Sequence, residues 1–573
     1  MVSTNRLHTS LTRKQTEQHW RNEPMDGVTA IANVLKLEGV DFIGCMPSSP
    51  LIEAAAVAGI RPIVFRQERT GVHMADGFSR INNGKRTGIF LMQAGPGAEN
   101  AFGGVAQAYA DSVPILLLPA GAARHRQGVD PVFSPTRSYE SITKWAAQIN
   151  YADRVPELMR QAFTKLRSGK PGPVLLEIPG DLISEDISEE QFDYTPPQAI
   201  RTAGDPEAVA RAARALLSAQ RPVITAGQGV LYAEATGQLV ELAEYLQIPV
   251  MTTLEGKSAF PENHPLSLGI GGSSQTGQVH RFLTGADTVF AVGASMTKSN
   301  FTAPLPPGKT LIHTTNSDGD INKDYRADYP VVGDARLVLA QLLEEIKRQT
   351  GGQARPADRE LTDEIAASRQ EWLDQWLPRL TSDEVPLNPY RVIWEIMHTV
   401  NLDNTIVTHE SGSPREQVSP FWEARAPRSF IGWGKSTQLG YSLGLAMGAK
   451  LAAPEKLVIN FMGDTAFGMV GLDVETAVRE NIPITTVVLN NNTMAIYPDS
   501  RMPTAVARYN TKYMGGNFAD MARSMGAWAE RISEPDQIAP AMRRAQERNE
   551  AGEFALLEYV TKEEGAYSKY QFV

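Results

Sequence analysis

The run Lys456-Leu457-Val458-Ile459-Asn460-Phe461-Met462-Gly463-Asp464-Thr465, answered further on by Ile484-Thr485-Thr486-Val487-Val488-Leu489-Asn490-Asn491-Asn492, decides the reading of this chain. Each is an apolar stretch of strand length that breaks off into polar turn residues. The segment 471–480 between them reads as helical, so the unit is strand, helix, strand, with the two strands parallel. Asp464 and Asn491 then both leave carboxyl ends of strands, the edge at which open α/β sheets bind ligands. A carboxylate and an amide oxygen converging there suit a hard cation such as Mg²⁺, which keeps waters and takes further oxygens from a phosphate. The turn is built to hold a diphosphate through a metal.

Working outward, the 573 residues are enough for three or four domains, and 42% apolar content gives a globular core that needs no disulfides. The single cysteine, Cys45, excludes an internal disulfide scaffold and fits a reducing, cytoplasmic setting. A formal charge of −10 gives no global basic field, which argues against nucleic acid as a partner but leaves room for a local basic pocket. No apolar run reaches the roughly 18 residues of a membrane span, so no membrane partner is expected. Residues 1–24 are polar and carry Arg6, Arg13, Lys14 and Arg21. Glu17 and Glu23 interrupt the acid-poor pattern of a transit peptide, and the segment reads as a disordered tail.

The rest of the chain alternates short apolar strands with helices, which predicts an α/β protein with three parallel-sheet domains. The first, residues 25–183, has expected strands at 42–45, 63–65, 87–92, 115–119 and 174–178. An acidic then Pro-rich linker (184–205, with Pro196-Pro197) leads to a second domain, 204–348, with strands at 222–226, 249–252, 288–292 and 310–313. A charged helical connector at 358–380 precedes the third, 385–561, with strands at 405–408, 456–462, 484–489 and 555–558. A tail, 562–573, closes the chain.

The first domain carries Phe65-Arg66-Gln67-Glu68-Arg69 and then Gly71-Val72-His73-Met74-Ala75-Asp76-Gly77-Phe78. Taken alone, a glutamate at a helix start is a cap or dipole-compensating charge. Downstream come Gln93-Ala94-Gly95-Pro96-Gly97-Ala98-Glu99-Asn100, Ala110-Asp111-Ser112-Val113-Pro114-Ile115 and Gly172-Pro173-Val174-Leu175-Leu176-Glu177-Ile178-Pro179, and the third domain adds Gly440-Tyr441-Ser442-Leu443-Gly444-Leu445-Ala446. This ordered set resembles the thiamine diphosphate enzymes of the acetohydroxyacid synthase, 2-hydroxyacyl-CoA lyase and oxalyl-CoA decarboxylase group, over about residues 25–565.

The resemblance implies a pyrimidine-binding first domain, a central domain and a diphosphate-binding third domain. It implies thiamine diphosphate and Mg²⁺ as cofactors. The cofactor works as a carbanion and then as an electron sink. Glu68, bonded to the pyrimidine ring nitrogen, would favour the tautomer that takes the thiazolium proton. Asp464, Asn491 and the backbone carbonyl of Thr493 would hold Mg²⁺. Leu439, where relatives often carry Met, would bend the cofactor. Further cofactor contacts fall on Gly95, Pro96, Asn100, Gln438, Gly463, Thr465, Ala466 and Met494. Thr465 departs from the usual glycine, which restricts the turn while adding a hydroxyl. Relatives place the two half-sites of one cofactor on different subunits, so a homodimer or homotetramer is implied.

The substrate is read from the departures. Val132-Phe133-Ser134-Pro135 lacks the glutamine of a synthase-like Phe-Gln-Glu segment, whereas Ser141-Ile142-Thr143-Lys144 matches. Val407-Thr408-His409-Glu410-Ser411-Gly412-Ser413 looks closer to the Ser-Glu-Gly-Ala-Asn segment of 2-hydroxyacyl-CoA lyases, and Met494-Ala495-Ile496-Tyr497 is similar to their Gly-Ile-Tyr. Tyr497, His409 and Glu410 are therefore candidate catalytic residues, His409 and Glu410 standing otherwise as a solvated turn. The expected activity is a 2-hydroxyacyl-CoA lyase acting on an acyl-CoA; the alternatives are an acetolactate synthase-like carboligase acting on a 2-oxo acid and a non-catalytic relative, against which the intact Glu68, Asp464 and Asn491 argue. Gly227-Gln228-Gly229 and Asp318 leave FAD or ADP open for the central domain, beside a purely structural role. The tail, with Lys562, Tyr567, Lys569, Tyr570 and Phe572, would close over an acyl-CoA or fray, fraying being favoured.

Overall fold

A computed structural model describes residues 25–571 apart from positions 48 and 189, so the expectation for residues 1–24 lies outside the described residues. In chain order the strands are β1 (Met25–Asp26), β2 (Phe42–Cys45), β3 (Arg61–Val64), β4 (Gly88–Met92), β5 (Ile115–Gly121), β6 (Trp145–Gln148), β7 (Val174–Pro179) and β8 (Asp186–Ile187) in the first domain. The central domain has β9 (Pro222–Ala226), β10 (Val250–Thr252), β11 (Ser267–Ile270), β12 (Thr288–Val292), β13 (Thr310–Thr315) and β14 (Tyr329–Val332). The third has β15 (Thr405–His409), β16 (Phe430–Ile431), β17 (Leu457–Gly463), β18 (Thr485–Asn490), β19 (Trp528–Ile532) and β20 (Ala555–Val560).

Three six-stranded sheets result, β3-β2-β4-β5-β7-β6, β11-β10-β9-β12-β13-β14 and β16-β15-β17-β18-β20-β19. Every pairing within them is parallel. The fold is therefore the expected three-domain parallel α/β architecture. Numbered within each domain, the first and third sheets share the order 2-1-3-4-6-5, while the central one runs 3-2-1-4-5-6, the doubly wound order of dinucleotide-binding folds. A short antiparallel pair, β1 with β8, ties the start of the first domain to the linker.

The expected strands recur with ends shifted by a few residues; those the sequence missed are β6, β11, β14, β16 and β19 in the sheets, with the short pair β1 and β8. The five missed sheet strands all lie on edges. These edge strands are short, two to five residues, so their apolar signal is weak even where, as in β11 and β16, they are buried. β6 is half-buried along its whole length, β16 has two residues, and β19 carries Glu530 and Arg531.

The first and third domains meet through two helices, Glu68–Ile81 and Ser442–Ala452, packed backbone to backbone. A Cβ added at Gly77 would stand 2.2 Å from the Leu445 carbonyl oxygen, one at Gly444 2.3 Å from that of Thr70, and one at Gly448 2.1 Å from that of Met74. Beside this seam lies a buried charge cluster. Arg80 donates to Asp76 (2.6 Å), Asp111 (3.0 Å) and the Gly432 carbonyl (2.7 Å). Asp111 also accepts from the backbone N–H of Gly434 and Lys435, whose ammonium reaches Glu255 of the central domain at 2.7 Å. All three domains are fastened at this point.

The tail does not fray. The Ser568 carbonyl accepts from the Gln275 N–H (2.8 Å), its hydroxyl from Trp372 Nε1 (2.9 Å), and Tyr570 stacks on His280 with centroids 4.7 Å apart. Tyr390 donates its hydroxyl to the Ala566 carbonyl at 2.7 Å. Of the tail aromatics that sequence alone left ambiguous, Tyr567 and Tyr570 are anchors, seating residues 562–571 in the groove between the central and third domains, while Phe572 lies outside the described residues.

Gly77→Ala and Gly448→Ala each force the helix pair apart and are expected to destabilise by about 1–3 kcal/mol. Gly237→Ala, in the helix Thr236–Leu246 with nothing within 4 Å of the added carbon, is the control and is expected to be neutral or slightly stabilising on thermal melting. Arg80→Met leaves Asp76 and Asp111 buried without their cation, for an expected loss of about 3–5 kcal/mol, read as a lower urea midpoint.

Candidate functional site

β17 and β18 pair with Gly463 opposite Leu489, so the chain beyond each strand emerges side by side at one sheet edge. Asp464 opens the helix Asp464–Val470 and is 3% exposed. Its Oδ2 accepts the Asn491 N–H at 3.1 Å; its Oδ1 accepts the Thr465 N–H at 2.6 Å and hydroxyl at 3.2 Å. Burial pushes this carboxyl up from its ordinary value, and those donors pull it back. Asn491 Oδ1 accepts the Thr493 N–H at 3.0 Å, and the Thr493 hydroxyl lies 3.0 Å from that oxygen and 3.3 Å from Glu563 Oε2. The two turns the sequence singled out are thus bonded to one another.

The donors on this edge are a carboxylate, an amide oxygen and the Thr493 carbonyl, an all-oxygen set that fits a hard divalent cation. Among the described residues no group of three or more His, Cys, Asp and Glu side chains could hold a metal, so no competing soft-ligand site exists there. The backbone at Gly463 is open, a Cβ there meeting nothing nearer than Pro414 at 3.7 Å. Thr465, in place of a third glycine, spends its hydroxyl on Asp464.

Glu68 is the first residue of its helix, just past β3, and is 4% exposed. Its Oε2 accepts from Asn100 Nδ2 at 3.3 Å. Asn100 comes from the helix Pro96–Ala110, which Gly95 launches at a φ of +67°, and a Cβ at Gly97 would sit 3.4 Å from Glu68 Oε1. Tyr139 donates its hydroxyl to the Ala98 carbonyl, and burial, then the charge of Glu68, pushes its phenol up. Glu68, Gly95, Pro96 and Asn100 thus form one cluster in the first domain.

His409 and Glu410 end β15 and its following turn, and both are wholly buried rather than a solvated turn. The Glu410 carboxylate accepts the Ser411 N–H (2.8 Å), the Ser442 N–H (3.1 Å) and the Ser442 hydroxyl (3.0 Å); burial nevertheless pushes it up to about 7. His409 lies beside Phe430 and Trp433, with centroids 5.4 and 6.2 Å away, and burial pushes it down to about 3, so its ring is neutral. Gly432 backs it, since a Cβ there would fall 1.9 Å from Nε2. Gln438 reaches His73 at 3.1 Å and Leu439 is half-buried against the core shared by the first and third domains. Tyr497 lies on the loop after the asparagines, 36% exposed, with the Arg501 guanidinium 5.1 Å over its ring. Met494 donates its N–H to the Lys512 carbonyl at 3.0 Å, closing that loop at its base, and Ala466 is buried behind the Asp464 turn. Sequence reasoning missed Ser442, which holds Glu410, and Glu563, which braces Thr493 from the tail; Ser442 stands inside the quoted Gly440–Ala446 motif, whereas Glu563 stands in none.

In the central domain a cavity of about 480 Å³ opens where the strand order reverses, between the ends of β9 and β12. A Cβ at Gly227 would meet the Gly293 carbonyl at 2.3 Å, so glycine there lets two strand ends approach. Asp320, not Asp318, lines this cavity, and it is held by Lys170 of the first domain and by Lys323, each at 2.9 Å.

Comparison with known proteins matches residues 25–148 to the thiamine pyrophosphate enzyme N-terminal TPP binding domain, 209–342 to the central domain and 410–559 to the C-terminal TPP binding domain. The chain is 31% identical over 553 residues to a probable acetolactate synthase large subunit of Methanocaldococcus jannaschii, covering 92% of this chain and 90% of that protein. It is 28% identical to the acetolactate synthase isozyme 3 large subunit of Escherichia coli (92% and 93% covered) and 28% identical to the acetolactate synthase large subunit of Corynebacterium glutamicum (92% and 86%).

Glu410 provides a pH test. Its folded-state value, about 7, lies above the ordinary glutamate value of 4.5, so the stability it contributes is full below 4.5 and is lost as pH rises through 7. Glu410→Gln removes that loss; thermal melts from pH 4.5 to 7.5 are expected to show the variant gaining on wild type as pH rises.

Proposed function

The chain belongs to the thiamine pyrophosphate enzyme family, and from that premise we propose that it is a thiamine diphosphate- and Mg²⁺-dependent carboligase that decarboxylates a 2-oxo acid and joins the remaining acyl unit to a second carbonyl, as an acetolactate synthase does. The observation that carries this reading is the likeness to acetolactate synthase large subunits along nearly the whole chain. The motifs alone favoured a 2-hydroxyacyl-CoA lyase; the relatives' names support the carboligase alternative better, and we adopt it. The lyase remains the second reading on one observation, the segment around His409-Glu410-Ser411-Gly412 with Tyr497 beyond the asparagines.

In this proposal Asp464, Asn491 and the Thr493 carbonyl would hold Mg²⁺, flanked by Gly463, Thr465 and Ala466. Glu68, whose Oε2 accepts from Asn100, would hold the pyrimidine and carry the proton, with Gly95 and Pro96 beside it. Gln438, Leu439 and Met494 line the space between the half-sites. Thiamine diphosphate, when bound, would supply the carbanion and electron-sink chemistry that decarboxylation and carboligation need. Tyr497, on its partly exposed loop, would donate to the reacting carbonyl. His409 and Glu410, wholly buried, act from behind the Ser411–Ser413 turn as positioning groups.

Phe102, Met469 and Leu472, exposed at 38, 46 and 58%, sit on segments next to the two half-sites. They support pairing of copies, with Glu68 of one facing Asp464 of another, in a homodimer or homotetramer. The central cavity supports FAD or ADP at the switch point of its sheet, which the absorbance spectrum of the purified protein and an ADP titration test. The buried Cys45 is in keeping with a cytoplasmic setting.

Incubation with pyruvate, thiamine diphosphate and Mg²⁺ is expected to yield acetolactate. Condensation of formyl-CoA with a ketone, in the absence of acetolactate, would sink the carboligase and restore the lyase. Glu68→Ala is expected to keep the fold and lower kcat on the order of 10²–10⁴-fold. Asp464→Ala is expected to abolish the circular dichroism change on adding the cofactor with Mg²⁺.

A further inference from the structure

Arg415 stands on the first turn of the helix Ser413–Phe421, which leaves the carboxyl edge of β15. Its neighbour Pro414 packs 3.7 Å from the position of a Cβ on Gly463, so the start of this helix runs beside the acidic turn. Its guanidinium packs on two rings that meet edge to face, 4.5 Å from the centroid of Phe301 and 4.6 Å from that of Trp433. Arg415 is 5% exposed, and its Nε has no hydrogen-bond partner.

The charges around it do not balance. Among the described residues Glu416 is the acid paired with Arg415, and the same carboxylate faces Lys569 of the docked tail at 3.7 Å. Glu416 also accepts the Ser273 hydroxyl at 2.9 Å, which further satisfies its oxygens. Two cations thus share one carboxylate in a site walled by aromatic rings and roofed by the tail, where Tyr567 meets the Ser413 hydroxyl at 2.8 Å. Glu416 pairs the buried Arg415 and solvent reaches the half-exposed Lys569, so the unmet demand is the Arg415 Nε–H, and a guanidinium N–H left without an acceptor beside aromatic rings is a pre-organised carboxylate donor.

We infer that Arg415, with Lys569 as second cation, forms a carboxylate-recognition subsite at the seam of the central and third domains, and that it seats the carboxylate of the 2-oxo acid substrate. Its assignment to that substrate rests on the function proposed above. Arg415 is then a specificity-determining residue that the motifs do not mark, and the tail completes the subsite.

The test uses the holoenzyme with oxamate, an unreactive carboxylate-bearing analogue of pyruvate, and neutral oxamide, both by calorimetric titration. Arg415→Gln is expected to weaken oxamate binding and raise the KM for pyruvate by about tenfold or more, with a far smaller change in kcat and in oxamide binding. Arg415→Lys is expected to recover part of the loss, and Lys569→Gln, on the half-exposed tail, to raise KM by about threefold without disturbing the fold. The Lys569 variant carries the test if Arg415→Gln does not fold. Oxamate binding that depends on Arg415 in an enzyme making no acetolactate would support the subsite and defeat the proposed function. Acetolactate synthesis with unchanged KM and oxamate affinity in the folded variants would overturn the subsite and leave that function standing.

Discussion

The Arg80 guanidinium is the point on which the architecture turns. It is a single buried cation whose two acidic partners, Asp76 and Asp111, belong to the first domain, while its third bond, to the Gly432 carbonyl, and the bonds Asp111 makes to Gly434 and Lys435, belong to the third. Lys435 carries the chain of contacts into the central domain at Glu255. Such a cluster contributes little net stability compared with an apolar core of the same shape, but it tolerates one relative placement of its members. Three separately folded sheets are thereby held in one register. The segment it fixes, Gly432 to Tyr441, leads directly into the helix packed against that of Glu68.

The glycine seam works with this cluster. Gly77, Gly444 and Gly448 let two helices approach closely enough that carbonyl oxygens occupy the space of absent side chains. This short interhelical distance brings the Glu68 helix beside Gln438, Leu439 and Gly440. The first and third sheets share one strand order, so each contributes a carboxyl edge of the same design with different chemistry: a buried acid in one, an oxygen-rich turn in the other.

Much of this was legible before any coordinates. Gly463-Asp464-Thr465 and the asparagine run end central strands buried on both faces, where apolar continuity is strong and the break into polar residues is sharp. Glu68 was legible because its motif is local. The missed edge strands were not, since they are only two to five residues long and several carry polar or glycine residues. His409 and Glu410 were found but misjudged in setting: a histidine and a glutamate after a strand read as polar turn, and only tertiary packing by Phe430, Trp433 and Ser442 encloses them. Arg415 and Glu563 had no local signal, because their partners are distant in sequence. The choice between lyase and carboligase hung on loop residues, which vary most freely on a shared scaffold.

The docked tail has a consequence for how the molecule comes into being. Glu563 steadies Thr493, and Lys569 stands opposite Glu416, so a segment synthesised after β20 finishes contacts at the edge of the third sheet. Glu68 is synthesised well before it. A nascent chain can therefore complete all three sheets and still lack the brace for its asparagine turn, which separates the birth of the fold from the birth of a competent site.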